Sequence, residues 1–239
     1  MTNANTTHLQ REIQKLKQQI VELSAEVEHT IEGAYQALEG LDVAKANAVI
    51  AADETIDQLE VDLEEECLKI MALYQPVASD LRMVVGVLKM NSDLERMGDL
   101  AGNIAEYVGE IAKLPPVEIS PRFRLLFSEA LSQVRKALDA LVNADAGLAR
   151  EVCLGDDKVD TLNREIILEV RQRLVSMPQH APALLFLISI SRSVERIADY
   201  ATNIAEDVYY MVQGRIVRHH VREVLGADAP KRSPEGTAP

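Results

Sequence analysis

With 239 residues, 47% of them hydrophobic, the chain is long enough to bury one large core or two modest ones. Its net charge of −13 would repel the phosphates of nucleic acids and anionic membrane surfaces, which argues against nucleic acid as a partner. Aromatic residues make up only 4% of the chain, whereas Ala, Leu, Ile, Val, Glu and Asp dominate, and this composition favours an all-α fold.

Three helices are predicted before a double proline interrupts the chain. The first covers residues 8–41, where apolar side chains mostly recur at the alternating short steps of a packed helix. The second follows the capping residue Asp42 and continues to about Tyr74, because a Gln-Pro pair stops it there. The third starts near Ser79 and ends before residues 115–116, since two prolines cannot continue a helix.

The second half of the chain repeats this plan. Helices are predicted over residues 121–143 and 145–177, and a last helix runs from about Pro182 to beyond Met211. We therefore predict an all-α fold made of two tandem, duplicated three-helix bundles, with six long antiparallel helices.

A repeated motif supports the duplication. The stretch "SDLERMGDLAGNIAE" at residues 92–106 returns about 100 residues later as "SRSVERIADYATNIAE". A repeat of that length is too long for a solenoid unit and indicates duplication of a whole bundle. The predicted bundles span residues 8–115 and 116–222, and the ends, residues 1–7 and 223–239, are predicted to be disordered.

Acidic and amide side chains form a stripe on the third helix. Glu95, Asp99 and Asn103 follow one another at four-residue steps and Glu106 comes three residues later, so all four lie within roughly 80° of arc on one side of a helix. Asp57 precedes the Gln-Pro turn by as many residues as Glu95 follows it. The same is true of Asp53 and Asp99. An antiparallel hairpin therefore brings four carboxylates to the same height.

The second half has an equivalent arrangement around its Met-Pro turn. Asp160 is predicted to face Glu195, and Asp156 is predicted to face Asp199, with Asn203 continuing the stripe. The two hairpins therefore follow the same register.

Acidic side chains gathered between two helices repel one another unless they share protons, meet arginines or hold a cation. Carboxylate and amide oxygens suit Mg²⁺, Mn²⁺, Ca²⁺ and iron, and they do not select among these ions. We predict two metal sites, one in each bundle. The ligands of the first are Asp53, Asp57, Glu95, Asp99 and Asn103. The ligands of the second are Asp156, Asp160, Glu195, Asp199 and Asn203.

Simpler interpretations stay open for each of these residues. The acids of the second helix could belong to a solvated exterior, as we expect for the adjacent run at residues 62–66. Asn103 and Asn203 could only bridge helices through hydrogen bonds. Cys67 and Cys153 are predicted to be reduced, structural thiols.

No targeting or membrane-spanning segment is predicted. The beginning of the chain lacks the basic start and apolar block of a secretory signal. The most apolar run, "APALLFLISI", has about half the length of a membrane span. We therefore expect a cytoplasmic protein without a transmembrane segment.

The acidic motifs resemble those of the PhoU family of phosphate-transport accessory proteins. The resemblance rests on "DLERMGDLAGNIAE", "SVERIADYATNIAE", "ADETIDQLE" and "GDDKVDTLN", and it extends over residues 10–215. One departure is Asp157, which stands where the first half has Glu54. The resemblance implies two three-helix bundles, dimerisation, and metal at these motifs, either iron or zinc clusters or Mg²⁺ or Mn²⁺.

The resemblance also implies a biological role. Such proteins act as negative regulators of phosphate-starvation signalling and phosphate uptake. They link the ATPase subunit of a phosphate ABC transporter to a sensor histidine kinase at the inner face of the membrane. This chain would then be peripheral to the membrane through its partners.

Three functions are therefore considered. The first is a metal-binding signalling adaptor without enzymatic activity. The second is a hydrolase or oxidase with a dinuclear carboxylate centre, but no histidine follows Glu95 or Glu195 at the spacing of ferritin-like di-iron sites. The third is a helical scaffold whose acids bind nothing. The adaptor is favoured, because the sequence also lacks phosphate-binding loops and nucleophile motifs.

Overall fold

The computed structural model describes residues 2–155 and 157–215, with side chains described from His8 onward. This part of the chain consists of α-helices and one short 3₁₀ helix at Pro178–His180. The helices are α1 (Thr2–Gly40), α2 (Val43–Tyr74), α3 (Ala78–Ile111), α4 (Arg122–Asn143), α5 (Ala146–Leu154), α6 (Asp157–Ser176) and α7 (Ala181–Gln213). The all-α prediction is confirmed.

Matching aspartates begin the second helix of each half. The Asp42 carboxylate accepts hydrogen bonds from the amides of Ala44 and Lys45, at 3.0 and 3.1 Å. Asp145 accepts from the two equivalent amides of α5, at 2.8 and 3.0 Å. Such caps satisfy amides that have no partner inside the helix, so the predicted starts of both helices are confirmed.

The first helix begins earlier than predicted. Residues 2–7, which were expected to be disordered, belong to α1. None of them is Gly or Pro, the two residues that most disfavour a helix, although Asn and Thr are weak helix formers. Residues 223–239 lie outside the described part of the chain.

The predicted fifth helix is divided into α5 and α6. Leu154 ends α5, and the Gly155 amide donates to the Val152 carbonyl at 3.0 Å, which closes the helix with a tight turn. The side chain of Gln133 donates to the Gly155 carbonyl at 3.4 Å. Glycine in a helix costs about 1 kcal/mol relative to alanine, which favours a break at this residue.

The two halves share one apolar core. Helices α3 and α7 pack against each other in antiparallel orientation along their length. Near one end Arg82 Nε donates to the Met211 carbonyl at 3.4 Å, and near the other the rings of Tyr107 and Phe186 lie 5.6 Å apart. Helices α1 and α4 also pack together. The tandem bundles are therefore joined side by side into one body.

Two glycines of α3 allow close approach of neighbouring helices. A Cβ atom on Gly98 would lie 2.9 Å from Cδ1 of Ile56 in α2. A Cβ atom on Gly86 would overlap Sδ of Met211 in α7. Helix α3 is thus packed tightly on both sides, against its hairpin partner and against the other half.

Neither cysteine forms a disulfide, and both are buried. Burial raises the pKa of the Cys67 thiol to about 12, which leaves it protonated and unreactive. Among the described helices, no single one is long and apolar enough to cross a membrane. The segments Ala146–Ser176 and Pro178–Gln213 meet that criterion only as a pair, across a bend of 120°.

Candidate metal centre

The hairpin of α2 and α3 brings the first set of predicted ligands together. Burial raises the pKa of Asp53, and the charges of Asp57, Asp99 and Glu106 raise it further. The pKa of Asp99 is raised by burial and by Asp57. These carboxylates from two helices are therefore close enough to repel one another, as the register of the hairpin predicts.

Glu95 belongs to the same cluster. Burial raises its pKa most, followed by the charges of Asp99, Glu60 and Asp57, while Arg96 opposes the shift. The Arg96 guanidinium lies 3.7 Å from the Asp93 carboxylate and 6.0 Å from the ring centroid of Tyr200. Because Arg96 has these other contacts, it compensates only part of the charge of the cluster.

Two further acids belong to this cluster and were not among the predicted ligands. Burial raises the pKa of Glu60, and the charges of Glu64 and Asp57 add to the shift. Glu106 contributes through its effect on Asp53. Glu60 follows Asp57 by three residues, so the helical periodicity of α2 already contained the signal that it lies on the same side.

A buried asparagine holds Glu60 in position. Asn91 Nδ2 donates to the Glu60 carbonyl at 2.9 Å and to its Oε1 at 3.1 Å. Asn91 is 1% exposed, and its own Oδ1 has no hydrogen-bond partner among the described residues. Asn91 Oδ1 is therefore an additional oxygen acceptor next to the cluster that receives no hydrogen bond from the described residues.

The cluster lies at the edge of the core and is open to solvent. Asp53 and Glu95 are half-buried, whereas Asp57, Asp99 and Asn103 are exposed. Within residues 8–155 and 157–215, no group of three or more Asp, Glu, His or Cys side chains is arranged to hold a metal ion. An ion would therefore have to draw these side chains together by changing their rotamers.

The second set of predicted ligands is arranged differently. Asp156 lies outside the described residues. Asp160 is half-buried in the first turn of α6, where the positive end of the helix dipole offsets a negative charge. On α7, Glu195 and Asn203 are half-buried and Asp199 is exposed. The break between α5 and α6 thus gives Asp160 a favourable interaction with a helix start, whereas Asp57 lies inside α2.

The halves also differ at the position of Glu60. In the second half the aligned residue is Asn163, and its Oδ1 accepts a hydrogen bond from the hydroxyl of Ser191 at 2.5 Å. A neutral pair therefore occupies the place of the Glu60–Asn91 pair. As a result, the first cluster carries an acidic group that the second does not.

The donor chemistry of the first cluster fits a hard cation, because its groups are carboxylate and amide oxygens. Its mutual repulsion and incomplete compensation also favour a positive charge.

Comparisons with known proteins match both halves of the chain. The family model of the PhoU domain matches residues 20–108 and again residues 123–208. The phosphate-specific transport system accessory protein PhoU homolog of Aquifex aeolicus is 38% identical over 214 residues, which cover 89% of this chain and 97% of that protein.

Solved structures agree with the sequence matches. The crystal structure of PhoU from Pseudomonas aeruginosa superimposes with a TM-score of 0.81 at 33% identity, covering 86% of this chain and 99% of that one. The phosphate transport system regulatory protein PhoU from Streptococcus pneumoniae gives a TM-score of 0.82 at 28% identity, covering 87% of this chain and 99% of that one. The protein described here therefore belongs to the PhoU family.

Proposed function

We propose that this protein is a regulatory adaptor of a phosphate-specific transport system and a negative regulator of phosphate-starvation signalling. The observation that carries this proposal is the similarity to the Aquifex aeolicus accessory protein over nearly the whole of both chains. The matched structures agree, because one of them is named as a phosphate transport system regulatory protein. The adaptor would connect the transporter ATPase subunit to a sensor histidine kinase at the cytoplasmic face of the membrane.

The architecture supports an adaptor. Long helices present extended outer surfaces, and several large apolar side chains remain exposed on them, including Leu125, Leu168 and Val175. Exposed apolar groups of this kind are available for contacts with other proteins.

A homodimer is part of the proposal. Light scattering after size-exclusion chromatography tests the oligomeric state. A monomer at micromolar concentration would contradict the homodimer.

The relatives give no support to the alternative of a dinuclear carboxylate enzyme. Their names describe accessory and regulatory proteins of phosphate transport.

Co-purification tests the partner proposal. The full chain is expressed with the tagged ATPase subunit of the phosphate transporter from the same organism, and separately with the cytoplasmic part of the tagged kinase. We expect the chain to be retained by both baits and not by the tag alone. Retention by neither bait would overturn the adaptor proposal.

A reporter strain tests the regulatory proposal. In cells that lack this protein, we expect a phosphate-starvation promoter to be active even in phosphate-rich medium. Expression of the full chain should restore repression. A promoter that responds normally to phosphate without the protein would contradict negative regulation.

We further propose that the first acidic cluster binds a divalent or trivalent metal ion, such as iron, zinc, Mn²⁺ or Mg²⁺, with a second site between α6 and α7. In the first site, Asp53, Asp57, Glu95 and Asp99 would hold the ion, with Asn103 on the same stripe. A bound cation would neutralise the repulsion between α2 and α3 and brace the hairpin. Asp160, Glu195, Asp199 and Asn203 would serve the second site together with Asp156.

Thermal unfolding with and without Mn²⁺ tests this metal proposal. Binding to the folded state stabilises it by about 2.7 kcal/mol at a hundredfold excess over Kd, so the melting temperature should rise by several degrees. The rise should be much smaller in the Asp57→Asn/Asp99→Asn variant. Asp139→Asn on the exposed side of α4 is the matched control. An equal rise in all three proteins would contradict binding at this cluster.

A further inference from the structure

The turn between α2 and α3 carries an exposed apolar surface. Leu73, Val77 and Leu81 are 66%, 73% and 40% exposed, and we call these three residues the turn patch. Large apolar side chains exposed on one surface usually have a binding partner, because burying them removes apolar area from water.

Helix α7 ends beside this patch. Arg82, the neighbour of Leu81, donates from Nε to the carbonyl of Met211 near the end of α7. Gly214 has a φ of 68° and its amide donates to the Tyr210 carbonyl at 2.8 Å, which ends the helix and turns the chain. A Cβ atom at Gly214 would lie 4.0 Å from Cζ of Arg82. The chain therefore leaves α7 next to the first turns of α3.

The residues that follow have a composition suited to the patch. The sequence "IVRHHVREVL" occupies positions 216–225, outside the described part of the chain. Val217, Val221 and Val224 are spaced so that a helix would place them on one side. The basic residues Arg218 and Arg222 alternate with them.

The surface around the patch carries more acidic than basic side chains, since four acids there face the two cations Lys69 and Arg82. Asp80 lies in the first turn of α3, and the α2 segment that leads to the turn contains Glu64, Glu65 and Glu66. One of these, Glu66, is paired with Lys69 at 2.9 Å. The charges of the patch surroundings and of residues 216–225 are therefore complementary.

The distances are compatible with contact. Val77 precedes Arg82 by about one and a half helical turns, or roughly 8 Å. The chain from Arg215 to Val221 can span at most about 20 Å. Residues 216–225 can therefore cover the turn patch of their own chain.

We propose that residues 216–225 dock on the turn patch of the same molecule, with their apolar side chains against Leu73, Val77 and Leu81 and their arginines toward the acids of α2 and α3. This contact covers the turn end of the α2–α3 hairpin, where Leu73, Val77 and Leu81 are exposed. It also connects the end of α7 with the α2–α3 hairpin, which carries the first acidic cluster.

Disulfide trapping in the full chain tests this proposal. The test protein carries Val77→Cys and Val221→Cys, and the matched control carries Val175→Cys and Val221→Cys. Val175 is also strongly exposed, at 85%, but it lies beyond the opposite end of α7, about 50 Å away. The native thiols Cys67 and Cys153 are buried and do not compete.

Under mild oxidation of dilute protein, we expect an intramolecular disulfide in the test protein to form at least tenfold faster than in the control. Equal rates, or no disulfide in either protein, would overturn the proposal. Disulfides that join two chains would also overturn it and would identify a second copy as the occupant of the patch.

Hydrogen exchange provides an independent readout without cysteines. In a chain that ends at Arg215, we expect amides of residues 73–81 to exchange at least fivefold faster than in the full chain. Amides around Val175 should be unchanged in the same samples. Unchanged exchange at residues 73–81 would overturn docking there, independently of the trapping result.

Discussion

At the scale of residues, the first acidic cluster is held at the edge of the core by its neighbours. Glu95 and Asp99 follow the buried residue Leu94 on α3, and Asp53 and Asp57 flank the buried residue Ile56 on α2. Burial raises the pKa values of Asp53, Glu95 and Asp99, and the charges of neighbouring acids raise them further. The folded, metal-free protein therefore carries unfavourable repulsion at this place.

Neutralising one member should stabilise the metal-free protein. We expect Asp99→Asn to raise the free energy of unfolding by about 0.5 kcal/mol in the presence of a chelator, a small value because Asp99 is exposed and screened by water. Urea denaturation measures this change. The control Asp139→Asn should change the free energy of unfolding by less than the experimental error. Destabilisation by Asp99→Asn would mean that the carboxylate has a favourable contact in the absence of metal.

The members of the first acidic cluster were predictable from the sequence to different extents. Equal spacing from the turn identified Asp53, Asp57, Glu95 and Asp99, because a helical hairpin converts sequence distance directly into height. Glu60 was not predicted, because it follows Asp57 by three residues and the acidic motif has steps of four. Residues three apart nevertheless lie on the same side of a helix, as residues four apart do. The unsatisfied Oδ1 of Asn91 was not visible in any sequence pattern.

At the scale of elements, the approach of α2 and α3 depends on Gly98. Its missing side chain leaves room for Ile56, which is fully buried. This glycine lies between Glu95 and Asp99, so the closeness of the two helices also sets the spacing of the carboxylates.

Two glycines of α3 make a matched test of this packing. Gly98→Ala should destabilise the protein by about 1–3 kcal/mol, because its Cβ would overlap Ile56 and the helices would have to move apart. Gly102→Ala has no atom within 4 Å of its Cβ and should stabilise α3 by about 0.5–1 kcal/mol. Thermal unfolding compares the two; equal shifts would show that the contact with Ile56 does not limit the packing.

The break between α5 and α6 shows the limit of helix prediction. The pattern of apolar residues continues across Gly155, so periodicity alone favours one helix from 145 to 177. Gln133 on α4 binds the freed carbonyl of Gly155, and this contact comes from another part of the chain. A helix can end at a single glycine when contacts with other helices provide hydrogen bonds for the backbone groups that are left unpaired there.

At the scale of the whole molecule, the two halves are joined through α3 and α7. Lys89 Nζ lies 3.3 Å from the carboxylate of Asp207, which is 3% exposed, and 6.0 Å from the ring centroid of Tyr210. A buried carboxylate needs such a cation, since leaving it uncompensated is costly. The duplicated bundles therefore depend on each other for part of their stability.

Removing this contact should weaken the whole molecule. We expect Lys89→Ala to lower the free energy of unfolding by about 1–2 kcal/mol, less than for a fully buried pair because Lys89 is 41% exposed. Lys113→Ala is the control, because it removes a more exposed ion pair with Glu110. It should lower the free energy of unfolding by at most about 0.5 kcal/mol.

Calorimetry of the same variants shows whether the halves unfold together. Because they share one core, we expect Lys89→Ala to keep a single transition at a lower temperature. Two separate transitions in the unaltered protein would contradict a shared core.

Local periodicity and distances from a turn were enough to predict the helical class, the duplication, the capping aspartates and the register of the acidic stripes. The packing of α3 along α7 and the separation of α5 and α6 at Gly155 became evident only in the folded molecule. These features arise from contacts between residues far apart in the chain, where side-chain shape and burial act without leaving a regular pattern in the sequence.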